Sequence, residues 1–226
     1  MRPDRQNGTG ELNLAESIAE ARTIQLELAA RVRCVPLMSP LRLVAGVDAS
    51  FSGNRVFAAA CLYALLSLEP VEDATASREL DFPYVSGFLS FREGPAILEA
   101  IAALGRKPDL ILVDGQGIAH PRGLGIASHL GVLLGVPTIG CAKSRLVGEF
   151  REPGRERGCR ARLEFKGRTV GAVVRTRTGV RPLFVSPGHL VDLPGSVQVV
   201  LRTAAGFRIP EPLRRADALS RAASKA

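Results

Sequence analysis

The sequence predicts an α/β fold, a mixed β-sheet flanked by helices, and three observations carry that expectation. Short apolar runs alternate with longer helical patterns along the chain. Two of the runs are separated only by the turn Ser52-Gly53-Asn54, and the later ones are separated by helices, so a hairpin is followed by helix, strand, helix, strand. Finally, 226 residues with 46% hydrophobic content suffice for one domain with a substantial core.

The elements follow in order. Residues 1–10 are polar and read as loose, and residues 11–33 carry a helical stripe of Ile18, Ala21, Ile24, Leu28 and Val32. Residues 41–51 and 56–65 read as buried strands of an antiparallel hairpin. Residues 82–91 read as a loop running into an extended segment, and 93–104 as a short apolar helix. Four apolar residues at 110–113 make a strand that ends at Asp114-Gly115. A helix over 123–134 is stopped by Gly135 and Pro137, and 138–141 is another short strand. Residues 162–186 hold two or three strands around a Lys166-Gly167 turn, and 195–203 form a helix. The Arg- and Ala-rich tail from about Glu211 reads as a segment prone to fray, without a function. No repeat or long linker divides the chain, so residues 1–226 read as a single domain.

Composition narrows the chemistry. No apolar run approaches the ~20 residues of a membrane span, and the polar N-terminus lacks the apolar centre of a secretory signal, so a cytoplasmic location is expected. The four cysteines form no CxxC pair, which argues against structural zinc and a disulfide framework. With three histidines, a metal would rest on carboxylates, which favours Mg²⁺ with Mn²⁺ as a substitute. A net charge of +8 suits a phosphate polymer as partner, although an arginine-rich composition alone produces the same charge.

Three carboxylates stand in unusual places. Asp48 interrupts the apolar strand VAGVDAS, where a charge is costly unless paired or bound to a metal. Asp114 ends the strand LILVDG, and Glu93 opens the helix before that strand. If the two strands are neighbours, Asp48 and Asp114 face each other and Glu93 covers them, a repulsive trio that divalent cations relieve. Taken singly, Asp114 is also compatible with a turn residue and Glu93 with a first-turn acid at a helix dipole. His120 in DGQGIAHPR is a candidate to bind phosphate or orient water, Lys143 in GCAKS to contact a scissile phosphate, and His189 in SPGHLVD to complete the metal site. A capping histidine and a solvated lysine are the plainer alternatives. Tyr84, after Pro83 in a loop, is a residue type that stacks on bases.

Together the segments VAGVDASF, FPYVSGFLSFREGP, LILVDGQGIAHPRGLGIASHLG, IGCAKSRL and VSPGHLVD resemble the endonuclease V family over roughly residues 40–205. The resemblance implies an RNase H-like fold and a DNA repair enzyme, a monomer, acting on single- or double-stranded DNA and open to RNA as well. It implies hydrolysis of the second phosphodiester bond 3′ to deoxyinosine, leaving 5′-phosphate and 3′-hydroxyl ends. Asp48, Glu93 and Asp114 resemble the Mg²⁺ or Mn²⁺ ligands, with His189 near them, and His120 and Lys143 resemble the groups beside the scissile phosphate. Pro83, Tyr84, Val85, Ser86 and Gly87 resemble the wedge that parts strands at the lesion. Gly87, Leu89, Gly115, Gly125 and Ile126 resemble the lining of the hypoxanthine pocket. Two positions depart from the pattern: Ser86 stands where a second proline is usual, and Gln116 where a histidine is common. Alternatives from other classes are an RNase H-like nuclease acting on inosine-containing RNA or branched DNA, a silent nucleic-acid-binding module, and a carboxylate-metal phosphatase.

Overall fold

The computed structural model describes residues 17–38 and 40–225. The expected loose segment at 1–10, and the first turns of the helix expected from residue 11, lie outside the described residues. Within them, α1 spans Ile18–Ala29, with the Ser17 hydroxyl accepting from the Glu20 amide as its cap.

One eight-stranded mixed sheet forms the centre. It contains β1 (Leu43–Ser52), β2 (Arg55–Ala64), β3 (Pro70–Glu79), β4 (Leu110–Val113), β5 (Thr138–Ala142), β6 (Arg160–Phe165), β7 (Arg168–Val174) and β8 (Leu183–His189). The order across the sheet is β3-β2-β1-β4-β5-β8-β7-β6. The β1–β4 and β4–β5 pairs are parallel and the other pairs are antiparallel. The hairpin of β1 and β2 forms as its Gly-Asn turn requires, and β4 then docks beside β1.

Alternation along the central strands separates two cores. Val44, Leu110, Leu112, Ile139 and Cys141 face α4 (Leu193–Thr203) and α5 (Glu211–Ala223). Ala45, Val47, Ile111 and Val113 face α2 (Leu89–Ala102) and α3 (Ile126–Leu134). Among the described residues no helix is long and apolar enough to cross a membrane.

Three sequence expectations are corrected. The strand β3 was not foreseen: PVEDATASRE lies at the sheet edge and is mostly polar, so only its alternating burial marks it as a strand. The expected extended segment over 82–91 instead ends in helix, since α2 begins at Leu89 and carries Pro95 inside it. Its first turn is held by the Phe82, Phe88 and Phe91 rings packed together with Ala21 of α1. The tail expected to fray is the helix α5, which buries Leu213 and Ala216 against β1 and β2. Gly46 makes that packing close: a Cβ there would lie 2.2 Å from the Pro212 carbonyl carbon.

Candidate active site

The carboxylates gather where the parallel strands end. Val47 pairs with Val113, so the next residues, Asp48 and Asp114, stand on neighbouring strands at the same level. Both share the pleat parity of the residues facing α5, and Lys143, just past β5, shares it too. Glu93 reaches the same end of the sheet from α2, itself buried. Burial first, and then the Asp114 charge, push Asp48 up to about 8, against the pull of Lys143 and the Ala49 amide. Burial, followed by Asp48 and Asp114, pushes Glu93 up to about 8 as well. Asp114 is also raised by burial, against a hydrogen bond from Lys143. The Lys143 ammonium pairs with Asp114, and this with the surrounding carboxylates outweighs burial and leaves the lysine raised.

A fourth acid enters from α5. Asp217 lies 3.8 Å from the Lys143 Nζ and 3.0 Å from Arg221, and its charge raises both Asp48 and Asp114. The sequence reading missed it because the tail had been given no role. The available signal was helical spacing, since Leu213, Ala216 and Ser220 form a buried stripe that carries Asp217 beside it. Arg208 braces the lysine from below by donating to the Lys143 carbonyl at 2.9 Å.

Beside this cluster a cavity of about 360 Å³ opens between the 84–90 segment, the loop after β4 and residues 142–146. The expected residues Tyr84, Val85, Ser86, Gly87, Leu89, Gly115, Gly125 and Ile126 line it, together with Asp114, His120 and Lys143. Pro83 is exposed and outside the lining. Gly115 sets one dimension of the cavity, because a Cβ there would fall 2.5 Å from the Ile126 Cγ2. Tyr84 stands at the mouth, 75% exposed.

The histidines are placed differently from one another. His120 forms part of the cavity wall, with both ring nitrogens engaged by backbone: Nε2 donates to the Gly87 carbonyl at 3.0 Å, and Nδ1 accepts from the Arg122 amide at 3.3 Å. Burial lowers it to about 4, so the ring is neutral. The Gly87 carbonyl also accepts from Gln25 Nε2 at 2.9 Å and from Arg122 Nη2 at 2.8 Å, and Arg122 in turn donates to the Gln25 side chain. Gln25 and Arg122 were not singled out from the sequence: Gln25 lies in no motif, and Arg122 lies in the DGQGIAHPR segment without a role read for it.

His189 is not brought to the carboxylates, which corrects the expectation of a metal ligand there. It ends β8 opposite Thr138, the first residue of β5, and its Nδ1 accepts from the Arg33 amide at 3.3 Å. Because β8 runs antiparallel to β5, it delivers His189 to the other end of the sheet. That is three residues along and two strands across from Asp114, roughly 14 Å at ~3.3 Å per residue and ~4.8 Å per strand.

The model for the endonuclease V family matches residues 26–218. The chain belongs to the endonuclease V family. An endonuclease V from Geotalea uraniireducens is 52% identical over 207 residues, covering 92% of this chain and 88% of that protein. Among solved structures, endonuclease V from Streptomyces avermitilis superimposes with a TM-score of 0.90 at 44% identity, covering 94% of this chain and 95% of the other. Endonuclease V from Ciona intestinalis, in complex with a 24mer DNA containing an inosine followed by a ribo-adenosine, superimposes with a TM-score of 0.83 at 28% identity, covering 93% and 99%. The fold is therefore the RNase H-like fold of endonuclease V, and the chain is of a nuclease family.

The donor set fits a divalent cation by its chemistry. Asp48, Asp114 and Asp217 surround one ammonium and Glu93 stands beside the two strand acids, with burial and neighbouring acids holding Asp48, Glu93 and Asp114 above the usual carboxylate range. Oxygen ligands of this kind suit Mg²⁺ or Mn²⁺ rather than a thiophilic metal. As they stand, no three His, Cys, Asp or Glu side chains among the described residues close into a metal shell. Lys143 holds the place of a cation at Asp114.

Proposed function

We propose that this endonuclease V hydrolyses nucleic acid at deaminated adenine, taking hypoxanthine into the cavity and cleaving the second phosphodiester bond on its 3′ side with Mg²⁺ or Mn²⁺ bound to the carboxylates. The observation that carries the proposal is the adjacency of two sites. A cavity large enough for a base, within the ~300–1,000 Å³ range of small-ligand pockets, has Asp114 and Lys143 in its own wall. The Ciona relative, bound to inosine-containing DNA, supports the choice of ligand.

Each residue then has a task. Asp48, Glu93 and Asp114 would hold the cation, which would supply positive charge against the negative charge that develops during phosphodiester cleavage. Lys143 turns from Asp114 to the scissile phosphate once those carboxylates are otherwise neutralised. Asp217 keeps the lysine within the site during that exchange. Tyr84 stacks on bases at the cavity mouth as the lesion leaves the duplex. His120 is a positioning residue, since its nitrogens shape the wall rather than face the cluster.

The test is incubation with Mg²⁺ and an oligonucleotide carrying one inosine, with the nick position mapped and with single-stranded DNA, duplex DNA and RNA as separate arms. The expected product ends one nucleotide 3′ of the inosine with a 3′-hydroxyl, and Asp48→Ala abolishes it. Equal cutting of the matching adenosine oligonucleotide, or normal nicking by Asp48→Ala, overturns the proposal.

A further inference from the structure

One residue of the cavity wall carries a buried polar atom with no partner among the described residues. Gln116 follows Gly115 in the loop after β4, is 8% exposed and lines the cavity. Its Nε2 donates to the Ser144 carbonyl at 3.0 Å, and its Oε1 is buried without any hydrogen bond among the described residues. The amide orientation is fixed by this geometry, because turning it over would set two acceptors, Oε1 and the Ser144 carbonyl, against each other. The backbone around it is fixed as well: the Gln116 carbonyl accepts from the Ala127 amide at 3.0 Å, the first turn of α3. Buried acceptors in folded proteins are rarely left unmatched, and an unmatched one in a ligand cavity marks where a donor belongs.

We infer that Gln116 is a specificity-determining residue whose Oε1 accepts the ring N–H that deamination creates. The inference rests on the cavity being the base site. Adenine presents a lone pair at N1, and hypoxanthine presents N1–H there. Cytosine likewise presents a lone pair at N3, and uracil presents N3–H. A lone acceptor therefore attracts the deaminated base and repels its parent at the same ring position. A backbone N–H at the same place, being a donor, would instead favour the parent base at that ring nitrogen. Guanine also carries N1–H, so its exclusion falls to the closeness of the wall where Gly115 meets Ile126.

The experiment compares wild type with Gln116→Met, which keeps the length of the side chain and removes both the acceptor and the donor. Single-turnover cleavage is measured on single-stranded oligonucleotides containing deoxyinosine, deoxyadenosine or deoxynebularine, the last a purine with neither the C6 oxygen nor N1–H. Single strands keep the work of parting a duplex out of the measurement. Wild type is expected to prefer deoxyinosine over deoxynebularine, and Gln116→Met to lower that ratio by about tenfold through loss of deoxyinosine cleavage alone, the size of one hydrogen bond to a buried group. A merely structural role would lower both substrates together and leave the ratio unchanged. An unchanged ratio, with wild type still selective for deoxyinosine over deoxyadenosine, overturns the role of Gln116. A wild type that cuts deoxyadenosine as well as deoxyinosine overturns the base-site reading itself and this inference with it.

Discussion

Replacing Glu93 by glutamine should stabilise the protein in the absence of divalent cations while removing its activity. Glu93 is buried in α2 beside two other acids, and its carboxyl is pushed from 4.5 to about 8. Below 4.5 it is protonated in the folded and unfolded chains alike and costs nothing. Between 4.5 and 8 the unfolded chain releases the proton that the folded chain retains, so stability is lost steadily as pH rises, and above 8 the full penalty is present. At about pH 7.5 the displacement corresponds to about 4 kcal/mol, at ~1.36 kcal/mol per pKa unit. A glutamine amide lacking partners there returns a cost of ~1–3 kcal/mol, leaving a net gain of roughly 1–3 kcal/mol. For a domain of this size, ~2–4 °C per kcal/mol places the rise in Tm at roughly 2–12 °C. The assay is thermal unfolding in EDTA from pH 5 to pH 8.5, with and without added Mg²⁺. The gap between variant and wild type should widen as pH rises, and Mg²⁺ should raise the wild type more than the variant. A Glu93→Gln protein that melts at or below the wild-type temperature in EDTA at pH 7.5 would refute the argument that burying Glu93 beside Asp48 and Asp114 costs the fold stability.

Two further pairs of outcomes are expected. Gly87 has φ +81° and the Phe88 amide donates to the Val85 carbonyl, so Ser86 occupies the second position of a type II-like turn, where proline is favoured. Ser86→Pro should therefore stiffen the loop by ~0.4–1 kcal/mol and raise the ratio of duplex to single-strand cleavage, whereas Tyr84→Ala should lower that ratio by roughly fivefold or more, through loss of a stacking contact worth ~1–3 kcal/mol; a lowered ratio in Ser86→Pro would show that the serine is needed as it is. Asp217→Asn should reduce the cleavage rate at least tenfold by loosening Lys143, while His189→Ala leaves single-turnover cleavage within about twofold, and the reverse ranking would mean that the end of the sheet has been misassigned.

Much of this was legible in the sequence, for reasons that differ by element. β1, β2, β4 and β5 are apolar over most of their length because they are largely buried on both faces. Asp48 stood out for the same reason, as an acid inside such a run. β3 hid because an edge strand with one wet face needs little apolar content. α5 hid because its arginines face solvent and its buried stripe is made of small residues at Ala216 and Ser220, so Asp217 went unread with it. His189 failed for another reason. A motif fixes a position along the chain, and the antiparallel register of β8 on β5 decides which end of the sheet that position reaches. The cavity lining was readable residue by residue, but the unpaired Oε1 of Gln116 emerges only when the Ser144 carbonyl is placed against its Nε2.

The carbonyl of Gly87 accepts from three side chains, one on α1 and two in the loop after β4. It acts as a pivot, with Tyr84 three residues upstream as the tip of the arm, up to ~10 Å away at full extension. Any slack at a pivot is magnified at the tip, so the position of the Tyr84 ring depends on Gln25, on a helix that contributes no carboxylate to the cluster. The N-terminal helix and the tyrosine loop thus form one mechanical part, and variation in either is constrained by the other. Grafting the loop alone onto a related sheet would carry the tip without its bearing.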